Sequence, residues 1–191
     1  MSGPETSSRP IRFRFDAPKA TQAAAFVTKL SGGSVSRSKL IKALYFADKR
    51  QLLRTGKTIT GDEPVSMQHG PVLSRIYDLI KGGTPNPTWH AALRNSGSVE
   101  VVLVSDPGTD LLTPKELEVL QSSFETVRGM DFRQLRAYCH DPSVCPELEE
   151  VEGTSKPIAF ETILEKAGKT DEQMNEIKAQ LEEDEFLSKL R

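Results

Sequence analysis

The sequence predicts a mainly α (α+β) protein: a single helical domain with a small β-hairpin or sheet. Three observations predict it. Apolar residues recur at helical spacing in most segments long enough to be elements. Those segments are bounded by clear start and stop residues, the strongest being Thr113-Pro114-Lys115-Glu116, an N-cap with Pro at the first position and Glu three after the cap. Extended signals are few and short; the best is the β-branched run at residues 99–104. A length of 191 residues suits one domain of ordinary size.

Residues 1–17 are Ser-, Pro- and Arg-rich, show no helical period and read as a flexible N-terminal arm. Within them Ile11-Arg12-Phe13-Arg14-Phe15 alternates apolar and basic residues, which suits a short edge strand or an anchor onto the domain. The domain proper is expected over residues 18–168. Its first helix, residues 19–31, carries Phe26, Val27 and Leu30 and stops at Gly32-Gly33. A second helix starts near Ser36, carries Leu40, Ile41, Leu44 and Tyr45, continues through Leu52 and Leu53, and stops at Gly56. Asp48 lies beside that stripe with nothing basic at 44 or 52, so its partner comes from elsewhere or it faces water.

Residues 57–69 read as a hairpin, with Ile59-Thr60 and Val65-Ser66-Met67 as strands and Gly61-Asp62-Glu63-Pro64 as the turn. Gly70-Pro71 then opens a third helix running to about Lys81, with Val72, Ile76, Leu79 and Ile80 inward. Gly82-Gly83 and two prolines end it, and Trp89 follows. After Thr113 a helix carries Leu117, Leu120, Phe124 and Val127; Asp131 with Gln134 caps a short helix through Tyr138. Residues 141–157 are a Pro-, Glu- and Ser-rich connection, and a helix is expected near 159–167. Residues 169–191 form an acidic C-terminal amphipathic helix capped by Thr170 with Gln173. Met174, Ile177 and Leu181 either pack it back on the domain, or it docks on a partner with its Leu187 and Leu190 end exposed.

No apolar run approaches the roughly 20 residues of a membrane span, and the N-terminus lacks the apolar core of a secretory signal. Cys139 and Cys145 read as reduced thiols, so a cytoplasmic protein with no membrane partner is expected. Residues 1–57 hold 12 Lys/Arg against 3 Asp/Glu, and residues 147–191 hold 6 against 13. Such a dipole steers a charged partner, or the two ends pack near one another. An overall pI of about 6.0 disfavours a nucleic-acid partner; the alternative reading is a DNA-binding regulator using the basic N-terminal region.

Lys39-Leu40, Lys42 and Leu44-Tyr45-Phe46-Ala47-Asp48-Lys49, then Thr58-Ile59-Thr60-Gly61-Asp62, then Gly70-Pro71-Val72 with Ile76-Tyr77, resemble the successive motifs of the Panacea (SocA-like) antitoxin domain. Leu135, His140-Asp141-Pro142 and residues 158–164 extend the likeness, which spans about 20–168. His69 stands where an aromatic such as Tyr is frequent, and Cys145 near where many members place Trp. The resemblance implies an antitoxin that neutralises a cognate protein toxin by direct contact, with delivery of the toxin to the ClpXP protease associated with the SocA-like branch.

The residues themselves point to no catalysis. Cys139-His140 with Cys145 lacks a fourth ligand and the paired spacing of zinc sites. Neighbouring Cys and His on one helix point about 100° apart and do not form a nucleophile–base pair. Thr60-Gly61-Asp62-Glu63 has too few oxygen ligands for calcium, and Gly70-Pro71 lacks the Lys-Ser/Thr of a phosphate loop. No catalytic residue, metal or cofactor is expected, and the chain reads as a binding protein, not an enzyme. Tyr45, Asp48, His69 and Tyr77 are expected to converge as a polar network. With Arg75 they form the expected toxin-binding set, built around the structural motif Gly70, Pro71 and Val72.

Overall fold

In the computed structural model, which describes residues 9–190, caps decide where the helices begin. Asp16 caps α1 (Ala17–Leu30) by accepting from the Lys19 N–H, and Ser36 caps α2 (Arg37–Thr55) by accepting from the Lys39 N–H. Gly56, at φ +73°, stops α2 in the left-handed region. Thr113 with Glu116, Asp131 with Gln134 and Thr170 with Gln173 each form a reciprocal capping box. These start α5 (Pro114–Val127), α6 (Phe132–His140) and α8 (Asp171–Lys189), as their sequences predict. The remaining helices are α3 (Ser74–Lys81), α4 (Pro87–Ala92) and α7 (Phe160–Lys166).

The architecture is mainly α with a small β component. Strands β1 (Ser34–Ser36), β5 (Glu100–Leu103) and β4 (Leu93–Ser96) form one antiparallel sheet in that order. Strands β3 (Val72–Leu73), β2 (Pro64–Ser66) and β6 (Lys156–Pro157) form the other, with Val65 opposite Val72 on one side and Pro157 on the other. Helix α2 is the axis. It is buried all round through its middle turns, from Leu40 to Asp48 without a break, polar Lys42 and Asp48 included, and packs against α5 most extensively.

A second apolar cluster sits at the far end of α2. Ile11, Leu52, Phe160, Ile163, Leu164 and Met174 meet there, with Ile177 and Leu181 at its edge. Residues 1–8 of the expected arm lie outside the described residues. Residues 11–15 do not form the expected edge strand. Their alternation instead drops Ile11 and Phe13 into this cluster, Phe13 edge-on to Phe160, while the Ile11 N–H goes to Glu161 and the Asp16 N–H to the Thr60 carbonyl.

Two further expectations are corrected. Ile59-Thr60 is not a strand, because a side-chain carboxylate takes its N–H groups, leaving none for a ladder. Gly70-Pro71 does not open a helix directly: Val72-Leu73 first pair as β3, and α3 begins at Ser74. The charge asymmetry is partly internal pairing. Lys19, Lys29, Lys49 and Lys57 bridge to Glu116, Asp106, Glu147 and Asp184. No helix among the described residues is long and apolar enough to cross a membrane.

Candidate functional site

Two carboxylates brace the segment between α2 and α3. Asp48, 3% exposed, accepts the N–H groups of Ile59 and Thr60 at 2.9 and 3.0 Å and the Thr60 hydroxyl. Burial raises its pKa to about 7 against the downward pull of those donors. Asp62, 1% exposed, accepts from Glu63, Arg75 and Ile76 at 2.8, 3.1 and 2.9 Å. It therefore caps α3 from twelve residues before the helix, where the local N-cap, Leu73, has no side chain able to do so. Burial raises its pKa as well. Between the two acids, Gly61 (φ +71°) lies so close to the N-terminal segment that a Cβ would fall 2.0 Å from the Arg14 carbonyl oxygen.

A second buried set lies along α2 beside the first. The Tyr45 hydroxyl donates to Glu147, whose two carboxylate oxygens also accept from Lys49 at 2.7 and 2.8 Å. Burial and the neighbouring Glu147 push the Tyr45 pKa well above its usual value. Lys42, 4% exposed, donates to the Pro71 carbonyl at 2.6 Å, and burial lowers its pKa to about 8. Cys139 and Cys145 are buried and unbridged, and burial raises both thiols, Cys145 to about 12. Gly70, at φ +96°, packs against Cys139, and a Cβ there would meet the Cys139 Cβ at 2.6 Å. The Gly-Pro junction is thus wedged between α2 and α6.

Outside this junction a groove of about 400 Å³ runs between the start of α2, the end of α3 and the start of α6. Its walls are apolar: Ile41, Met67, Val72, Ile80, Phe132 and Leu135. Its charged side chains are all cationic: Arg37, Lys42, Lys81 and Arg136. The buried Nε of Arg37 has no hydrogen-bond partner. His69 stands edge-on to Phe132 with centroids 5.3 Å apart, and Lys81 lies over the Tyr77 ring at 5.0 Å. A recess beside Tyr45 and Asp48 holds only about 10 Å³, the room of one water, whereas the groove has room for several side chains.

The expected set therefore divides. His69 and Tyr77 line the groove. Tyr45 and Asp48 are interior and do not join them, because each is held by its own buried partner. Arg75 stands apart, over the ring of Phe15. Gly70, Pro71 and Val72 form the groove's inner wall and the support behind it. Phe132 and Arg136 are not singled out by sequence, and Lys42 enters there only as part of the family motif on α2. Phe132 falls in phase with Leu135 and Cys139, so pattern alone places it in the core, whereas it is 55% exposed at the first turn of α6. Among the described residues, no group of three or more His, Cys, Asp and Glu side chains is placed to hold a metal ion.

The fold and groove define a small helical domain with a basic, apolar groove on its surface. The family model of the antitoxin SocA-like Panacea domain matches residues 40–145, and the chain belongs to that family. The match takes in α2 from Leu40, the braced segment and α6; α7 and α8 lie outside it. No curated protein and no solved structure matches the chain.

Proposed function

We propose that this chain is an antitoxin that binds a cognate protein toxin and neutralises it by direct contact, without catalysis. Family membership carries the reading. The groove supports it, since an apolar trough with an exposed aromatic and basic rim has the make-up of an interface anchor site. His69 and Tyr77 make the contact together with Phe132 and Arg136. Tyr45 and Asp48 act from inside, by fixing the elements that shape the groove. Residues 18–168 carry this role, with the acidic helix from 169 onward as an accessory. The finer version has the bound toxin handed to ClpXP, which requires toxin and protease to be held together so that the second contact becomes effectively intramolecular.

The test is co-expression with the product of the neighbouring gene. The expected result is toxicity of the neighbour alone, rescue by this chain and a complex that survives purification. A neighbour that is harmless alone and forms no stable complex overturns the reading. Toxin half-life in cells with and without ClpXP decides the delivery step: equal half-lives remove it and leave plain blocking.

A further inference from the structure

The far end of α8 carries a surface that no other described residue covers. Phe186, Leu187 and Leu190 are 62, 49 and 68% exposed. With exposed Glu183 they stand at i, i+3, i+4 and i+7, so one helix face presents three large apolar side chains and a carboxylate. The preceding run Glu182-Glu183-Asp184-Glu185 is wholly acidic. The groove has the matching make-up, with apolar walls, four cationic side chains and no carboxylate among the described residues that line it. Its volume of about 400 Å³ lies toward the small end of ligand-sized sites (roughly 300–1,000 Å³). That suits a few side chains projecting from one helix face.

The two surfaces cannot meet within one chain. Ile177 packs onto Gly56 and Asp184 bridges to Lys57, which pins α8 at the C-terminal end of α2. The groove is at the other end, around Arg37 and Ile41. At 1.5 Å per residue these points are about 25 Å apart along α2, whereas α8 extends only about 9 Å beyond Asp184. We infer that the groove receives the acidic, apolar far end of α8 from a second copy of this chain, two copies exchanging these ends reciprocally. Exchange closes a two-fold dimer in which each contact is made twice. The contact occupies the surface assigned above to the toxin. It rests on that reading only in making toxin and tail competitors, and its own test needs no toxin.

The test is the mass of the full chain by light scattering over a wide concentration range, at low and high salt. The expected result is a monomer–dimer equilibrium that weakens with salt. F186S with L187S and L190S, or R136E alone, is expected to weaken dimerisation at least about tenfold, by about 1.4 kcal/mol, with unchanged unfolding of the dilute monomer because all four positions are exposed in the single chain. Combining R136E with E183K in one chain restores part of the loss, which a generally damaged protein does not do. A photo-crosslinker at position 187 links to the peptide holding Phe132 and Arg136 of the other copy. A chain monomeric at every concentration, or a dimer indifferent to both sets of variants, overturns the proposal.

Discussion

The braced segment at residues 58–76 and the groove beside it differ in how their charges are met. In the segment, two buried carboxylates take five backbone N–H groups and a hydroxyl, so nearly every bonding site of each acid is filled from within. In the groove, four cations meet no carboxylate on the lining: Lys42 and Arg37 reach only the carbonyls of Pro71 and Gly97, and the buried Arg37 Nε is left without a partner. A satisfied polar interior fixes one geometry, while an unsatisfied polar surface is open to a partner. The comparison separates scaffold from the proposed docking face, and variants on the two sides should separate stability from binding.

The largest loss of stability should come from Gly61→Ala. The added Cβ meets a backbone carbonyl at 2.0 Å, which no side-chain rotation relieves, and φ +71° disfavours any L-residue. A loss of roughly 3 kcal/mol or more is expected in denaturant unfolding. Next come Asp48→Ala and Asp62→Ala. Each strands buried or part-buried N–H groups, and the second also uncaps α3, so about 2–3 kcal/mol is expected for each. Either change within about 0.5 kcal/mol of the parent would show that the acids do not brace the segment.

Stability against pH sharpens the same side. Asp48 has its pKa raised from 3.8 to about 7, and Asp62 is raised in the same direction. Asp48 faces the Thr60 hydroxyl, the N–H groups of Ile59 and Thr60, and the charge of Asp62. A folded state that holds protons more tightly than the unfolded chain is favoured at low pH. The contribution of Asp48 is therefore complete below about pH 4 and is lost as pH rises to about 7, by up to about 4 kcal/mol. The Asn variant at 48 keeps an acceptor but does not titrate. The difference between parent and D48N unfolding free energies should fall across that window, and a constant difference would refute the assignment.

These same residues mark how far the sequence was readable. Caps and stops are local, so three capping boxes and the Gly56 stop were legible from a few adjacent residues. The partner of Asp48 was not, because it lies eleven and twelve residues away on backbone N–H groups, which carry no residue code. That hidden bond is also why the β-branched Ile59-Thr60 pair does not become the strand its composition predicts. The Gly-Pro junction is recognisable as a motif but does not start the helix its residues predict, since Val72-Leu73 pair as β3 and the cap of α3 is supplied by Asp62 across the turn. The groove was the least legible feature. It is assembled from the start of α2, the end of α3 and the start of α6, and no periodicity within any one of them reveals the other two. Tyr77 belongs to a family motif and His69 stands directly before one as a departure from it; Phe132 is masked by its core-like phase.

The smallest effect on stability, and the sharpest separation of the two regions, is expected at the rim. Phe132 and Arg136 are exposed, and neither side chain braces a neighbouring element through a buried bond. Phe132→Ser and Arg136→Glu should therefore leave unfolding within about 0.5 kcal/mol of the parent. If the groove is where the toxin docks, the same two changes should weaken the toxin complex at least about tenfold and reduce protection in cells. Lys42 adds a check of charge. Its neighbours are the Pro71 carbonyl, Cys139 and Cys145, with Arg37, Lys81, Arg136 and His69 lining the same groove. With its pKa lowered to about 8, it loses its proton as pH rises through that value. An anionic group bound beside it favours the charged form, so affinity should fall from pH 7 to pH 9, and Lys42→Met should flatten that fall. Toxin binding that is indifferent to Phe132, Arg136 and pH together would move the docking face away from the groove while leaving the braced scaffold untouched.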